Sequence, residues 1–99
     1  MKNYIVTIET WYSTEEYLIP IDTESKEWDF IQIDKAFASI GFCDAFEVVK
    51  MEEVTAEYME KREELIRRWE QINGESIEEG FCSGKFVTLE CLENELEGK

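Results

Sequence analysis

The sequence contains no histidine, so the most common catalytic base of proteins is missing. Without an imidazole there is no Ser–His or Cys–His nucleophile and no histidine general base that titrates near neutral pH. The phosphate-binding patterns G-x-G-x-x-G and G-x-x-x-x-G-K-[ST] and the calcium-binding D-x-[DN]-x-[DN]-G run are also absent. Carboxylate pairs arise by chance among 24 acidic residues, so none of them indicates a site. We therefore expect a protein that is not an enzyme, without catalytic, cofactor-binding or metal-binding residues.

Long apolar runs are missing as well. No stretch approaches the roughly 18 residues that a membrane-spanning helix needs, and the N-terminus lacks the layout of a signal peptide. The three cysteines, Cys43, Cys82 and Cys91, form an odd and sparse set without a C-x-x-C pair, which is typical of buried, reduced thiols. A Cys82–Cys91 disulfide or a thiolate metal site is the alternative. We expect a cytoplasmic protein.

Basic residues are few, since 24 acids stand against 10 bases and the net charge is −14. Nucleic acids and anionic membranes carry dense negative charge and would repel such a chain, so neither is expected as a direct partner. The expected partner is a basic protein surface, of the kind that holds nucleic acid. Solubility alone also accounts for high net charge.

Only one proline and five glycines interrupt the chain, and 43% of its 99 residues are hydrophobic, which favours a single domain over 1–99. Along the chain, the spacing of hydrophobic residues changes between the two-residue period of a strand and the period of about 3.6 residues of a helix. The predicted fold is α+β, a two-layer, mostly antiparallel sheet of four strands in the order β-β-α-β-α-β with two helices on one face. The predicted elements are strands over 4–12 and 16–21, a helix over 26–40, a strand over 45–51, a helix over 54–72 and a strand over 85–92, followed by a frayed tail over 93–99.

Three tryptophans are many for this length. Trp28 and Trp69 fall on predicted helix faces and are expected in the core. Trp11 and Tyr12 stand beside the hairpin turn, where exposed aromatic side chains often anchor an interface. A cross-strand pair with Tyr17 that stabilises the hairpin is the alternative.

The second predicted helix contains two pairs of basic residues, Lys61–Arg62 and Arg67–Arg68. They could contact an acidic partner. We favour ion pairs within the helix, because acids stand four residues before three of these bases: Glu57, Glu63 and Glu64.

The mean density of acidic charge tests whether the chain could imitate DNA. A domain of this mass has roughly 5,900 Å² of surface, or about 420 Å² per net charge. Duplex DNA has roughly 110 Å² per charge, so mimicry requires the carboxylates to cluster on one face. The acids predicted to form such a row lie around the hairpin and in the connection after it: Glu9, Glu15, Glu16, Asp22, Glu24, Glu27 and Asp29.

In physical type the chain resembles phage-encoded inhibitors of bacterial defence, including anti-CRISPR and antirestriction DNA mimics, which are often small, acidic and without an active site. No motif supports this resemblance. It implies a stoichiometric inhibitor that presents acids to a basic, nucleic-acid-handling protein. The alternative is an immunity protein or interaction module that uses Trp11 and Tyr12 as anchors, and an enzyme with a carboxylate site is the weakest hypothesis.

Overall fold

The computed structural model describes residues 1–81 and 83–98. In these residues the protein is α+β, with one antiparallel sheet of three strands. The chain divides into two compact units, the N-terminal unit Met1–Val54 and the C-terminal unit Thr55–Lys99. The elements are β1 (Lys2–Glu9), β2 (Thr14–Ile21), α1 (Asp29–Ser39), β3 (Glu47–Glu53), α2 (Ala56–Asn73), α3 (Ile77–Gly80), a 3₁₀ turn (Gly84–Phe86) and α4 (Leu89–Glu97).

The strands of the N-terminal unit lie in the order β2-β1-β3, with β1 paired antiparallel to both neighbours. Val6 of β1 lies opposite Tyr17 of β2, and both side chains are buried. Helix α1 buries Phe37, whose ring lies 4.9 Å from that of Tyr17 and 4.8 Å from that of Phe46. Pro20 has no amide hydrogen for a ladder and lies on β2, an outer strand, as the sequence predicts.

Helix α2 has a cap residue at each end. The Thr55 hydroxyl accepts a hydrogen bond from the Tyr58 amide at 3.1 Å, and the helix ends at Gly74, whose φ of 69° favours glycine. Beneath it lies the buried core of the C-terminal unit, with partly buried leucine, isoleucine and phenylalanine side chains around it. The core consists of Trp69, Ile77, Val87 and Leu92.

Gly80 ends α3 directly against the Trp69 ring. A Cβ at this position would lie 2.0 Å from the Trp69 Cη2 atom and 2.8 Å from Cζ2. Because the indole is buried and cannot move aside easily, the close approach requires glycine here.

Arg62 lies inside the C-terminal unit and is only 7% exposed. Its Nε donates a hydrogen bond to the Val87 carbonyl at 2.6 Å, and its Nη2 donates to the Lys85 carbonyl at 2.5 Å. Burial lowers the pKa of this guanidinium. Arg62, which the sequence groups with Lys61 as a possible contact for an acidic partner, is therefore not available on the surface. Arg62 instead ties the segment before α4 to α2.

The fourth strand predicted over 85–92 is wrong, because these residues form a 3₁₀ turn and the start of α4. The Thr88 hydroxyl accepts from the Cys91 amide at 3.3 Å and caps the helix. Leu89 and Leu92 then repeat at helical spacing and are buried. The segment expected as a frayed tail, 93–99, continues this helix to Glu97.

The single domain over 1–99 and the placement of two helices on one sheet face stay predictions. In the part of the chain that the structure describes, no helix is both long and apolar enough to cross a bilayer.

Candidate partner-binding surface

The turn between β1 and β2, residues 10–13, is called the hairpin tip below. Thr10 fixes its shape, since its amide donates to the Ser13 carbonyl at 2.8 Å and its hydroxyl to the same oxygen at 3.1 Å. The same hydroxyl accepts from the amides of Ser13 at 3.0 Å and Tyr12 at 3.4 Å. Thr10 is buried, and these hydrogen bonds are partly buried with it. The hairpin tip therefore holds a defined conformation, without the Asn-Gly signal that marks tight hairpins in a sequence.

Trp11 projects from the hairpin tip and is 88% exposed. Its ring meets that of Tyr12 edge to face, with the centroids 5.0 Å apart. Tyr12 is 55% exposed, and its hydroxyl donates a hydrogen bond to the Asp44 carboxylate, which raises the pKa of Tyr12. Asp44 carries no signal of this contact in the sequence, because only the fold brings residues 12 and 44 together.

Tyr17, the proposed cross-strand partner of these rings, lies in the core. Its ring packs edge-on against Phe37 and lies 6.2 Å from that of Phe42. Tyr17 therefore serves the packing of α1 on the sheet, while the Trp11 ring lies almost wholly in solvent.

Strand register separates the acids predicted around the turn. Glu15 lies opposite the buried Ile8, on the face of the sheet that carries the core, whereas Glu16 lies opposite Thr7, on the other face. Glu9 shares the face of Glu16 and lies opposite Glu47 of β3. The exposed acids on one face are therefore Glu9, Glu16, Glu47 and Glu52, the last of which pairs with Lys50, and the sequence alone did not identify Glu47 or Glu52.

The second predicted acidic run lies at the opposite end of β2 from the hairpin tip. Seven residue steps separate Thr14 from Ile21, which corresponds to about 23 Å along the strand. Residues beyond Ile21 are therefore far from Trp11. This run contains Asp22, Glu24, Glu27 and Asp29.

Gln32 of α1 holds this second run in place. Its side-chain oxygen accepts from the Asp22 amide at 2.8 Å, and its amide donates to the Asp22 carbonyl at 3.0 Å and the Glu27 carbonyl at 3.2 Å. The Asp22 carboxylate accepts from the Glu24 amide at 3.0 Å, and Glu27 forms an ion pair with Lys35. Two of these acids thus stabilise the loop. The seven predicted acids form no single row.

Two aromatic residues of the N-terminal unit lie on the surface against expectation. Trp28, predicted in the core, is 69% exposed, and Phe30, which the helical spacing of Phe30, Ile33, Phe37 and Ile40 places on one apolar face, is 56% exposed. Ile33 and Phe37 alone are the buried residues of α1. The buried face of α1 therefore begins at Ile33 and does not include Phe30.

Two of the three ion pairs predicted for α2 are confirmed, and the predicted Glu63–Arg67 pair is not formed in the described residues. Lys61 pairs with Glu57 at 3.5 Å, and Arg68 approaches Glu64 at 4.0 Å, each across one helical turn. These pairs are exposed and contribute little to stability. Arg67 is exposed on the same helix.

Cys43 and Cys91 are exposed free thiols, so the prediction of buried cysteines is wrong for both. Cys82, and with it the disulfide alternative, lies outside the described residues. Within residues 1–81 and 83–98, no three Cys, Asp or Glu side chains converge where a metal ion could be held. Comparisons with protein-family models, with curated proteins and with solved structures give no significant match to this chain.

Proposed function

We propose that this protein binds a basic protein surface through the hairpin tip, with Trp11 as the anchor. The observation that supports this most strongly is the exposure of Trp11, 88%, on a turn that four hydrogen bonds of Thr10 hold in shape. A tryptophan left in water does not contribute to the core. Trp and Tyr are the residue types most enriched at the centres of protein interfaces.

The fixed conformation of the hairpin tip favours binding. Burying a tryptophan ring removes roughly 200 Å² from water, which corresponds to about 5 kcal/mol at 25 cal/mol per Å². Ordering a flexible loop on binding would consume part of this free energy. Because Thr10 already fixes the turn, and Asp44 already holds Tyr12, this cost is small here.

The charge of the N-terminal unit indicates the chemistry of the partner. Residues 1–54 contain twelve acids and four bases, a net charge of −8. Glu9 and Glu16, next to the hairpin tip, are exposed. Such a surface repels nucleic acid and steers a cationic protein towards the anchor.

We further propose that this basic surface is one that holds nucleic acid, so that the bound protein acts as a stoichiometric inhibitor. Phage anti-defence proteins, among them anti-CRISPR and antirestriction proteins, are the functional class that this combination fits. The net charge of −14 supports it. The separation of the acids on the two ends of β2 favours an aromatic anchor with an acidic surround over imitation of a phosphate row. An immunity protein with the same anchor is the alternative.

The test begins with capture of the partner from bacterial lysate by the immobilised wild-type chain and its identification by mass spectrometry. The captured protein is then titrated against wild type, Trp11→Ala and the matched control Ile72→Ala, which removes a side chain 56% exposed in the C-terminal unit. We expect Trp11→Ala to weaken binding at least about 30-fold, in line with interface hot spots, and Ile72→Ala to leave it unchanged. Equal affinity of Trp11→Ala and wild type would refute the anchor.

Nucleic acid added to the complex tests the inhibitor role. If the partner's own DNA or RNA competes with this protein for one site, the inhibitor role is supported. Simultaneous binding of both ligands would contradict it and favour the immunity or adaptor alternative.

A further inference from the structure

A second aromatic surface lies at the start of α1, formed by Trp28, Phe30, Ile31 and Asp34, and is called the α1 surface below. Trp28 and Phe30 contact each other edge to face, with the ring centroids 5.7 Å apart. Ile31 is exposed as well. Ile33 and Phe37 provide the buried contacts of this helix, so folding does not account for these large apolar side chains in water.

The α1 surface is mostly apolar, with one carboxylate, Asp34, one helical turn after Phe30. Its three apolar side chains expose roughly 300 Å², within the range of functional patches on soluble proteins. Asp34 lies four residues after Phe30 and three after Ile31, so its carboxylate neighbours each of these two side chains on the helix surface. Lys35, the base nearest in sequence, is paired with Glu27.

We propose that the α1 surface binds an arginine side chain of a basic partner segment. An aromatic ring and a carboxylate side by side match the two ways in which a guanidinium binds, by stacking on a ring within about 6 Å and by paired hydrogen bonds to a carboxylate. Arginine fits better than lysine because its planar group can do both at once, whereas an ammonium group is more strongly hydrated.

A second copy of the chain does not fit this surface. Each copy carries a net charge of −14, and Asp29 and Asp34 of one copy would meet the same acids of the other. The proposal takes the basic character of the partner from the proposed function. It uses a different surface, at the end of β2 away from the hairpin tip.

The probes that test it are two synthetic peptides, (Arg-Gly)₄ and (Lys-Gly)₄, titrated at low ionic strength. The protein is the Trp11→Phe variant, in which Trp28 is the exposed tryptophan and Trp69 is buried, so tryptophan emission reports mainly on the α1 surface. We expect the arginine peptide to change this emission and to bind about tenfold more tightly than the lysine peptide.

Phe30→Ala and Asp34→Asn should each weaken binding of the arginine peptide about five- to tenfold. The matched control is Glu60→Gln, which removes one exposed acid from α2 and should change the affinity less than twofold. These side chains are exposed, so far-UV circular dichroism should be the same for all variants.

Equal affinity for the two peptides, or equal loss in Asp34→Asn and Glu60→Gln, would overturn the proposal and indicate a nonspecific charge effect. Self-association that Phe30→Ala abolishes would also overturn it, since a second copy would then be the occupant. Because the titration is done without Trp11, a negative peptide result would not contradict the proposed role of the hairpin tip. Conversely, if Trp11→Ala did not change the affinity for the captured partner, the result of the peptide titration would still hold.

Discussion

Replacing Arg62 with methionine should destabilise the C-terminal unit strongly. Arg62→Met keeps an unbranched side chain of similar length and removes the two donors that bind the Val87 and Lys85 carbonyls. Those carbonyls lie in the segment that leads into α4, which this side chain ties to α2. In Arg62→Met the buried Val87 carbonyl therefore loses its hydrogen-bond donor.

The size of the effect follows from the two hydrogen bonds. A hydrogen bond to a charged donor contributes about 1.5–3 kcal/mol, so two of them give about 3–6 kcal/mol. Removing a buried charge returns part of this, because burial disfavours the guanidinium, as its lowered pKa shows. We expect the free energy of unfolding to fall by about 3 kcal/mol, on the basis of these opposing contributions.

Urea denaturation followed by circular dichroism at 222 nm measures this change. Arg67→Met, on the same helix but exposed, is the control and should shift the free energy of unfolding by less than about 0.5 kcal/mol. If Arg62→Met and Arg67→Met had equal effects, the assignment of a structural role to the buried guanidinium would be refuted.

Two further predictions concern the C-terminal unit. Gly80→Ala should lower the free energy of unfolding by about 1–3 kcal/mol, because the added Cβ would clash with Trp69. The control Gly98→Ala should not lower it, since its Cβ would lie 3.6 Å and 3.7 Å from the nearest backbone oxygens. Urea denaturation of the two variants measures the difference. Burial, with the hydrogen bond to Glu90, raises the pKa of Tyr58 from 10.0 to about 12. The unfolded chain therefore binds fewer protons between pH 10 and 12, and stability should fall across this window, by about 1 kcal/mol for a partly exposed phenol. Tyr58→Phe should make that fall smaller by about 1 kcal/mol, in denaturation curves recorded at each pH.

Much of the secondary structure could be predicted because local signals agree. The first hairpin, α1, β3 and α2 lie close to their predicted positions, since strand or helix periods coincide there with helix caps such as Gly74. The prediction for the end of the chain was wrong because the β-branched residues Val87 and Thr88 are typical of a strand. The decisive feature was the Thr88 hydroxyl, which caps helix α4. Where strand propensity and a helix cap occur in the same segment, the sequence alone does not show which of them decides the structure.

The candidate site could be predicted only in part. Exposure of Trp11 beside a turn was one of two alternatives that the sequence left open. The grouping of acids could not be predicted, because it depends on register: a one-residue difference places Glu15 and Glu16 on opposite faces. The prediction that Trp28 is buried was wrong because Trp28 precedes the first residue of α1. Helical spacing in the sequence does not show at which residue the buried face of the helix begins.

The central claim is that Trp11 acts in binding and not in folding. The most direct measurement compares wild type and Trp11→Ala in two quantities, the Kd for the captured partner and the free energy of unfolding in urea. Because the ring is 88% exposed, we expect the free energy of unfolding to change by less than about 0.5 kcal/mol while the Kd rises at least about 30-fold, or about 2 kcal/mol. An unchanged Kd, or a loss of stability that matches the loss of binding, would contradict the claim.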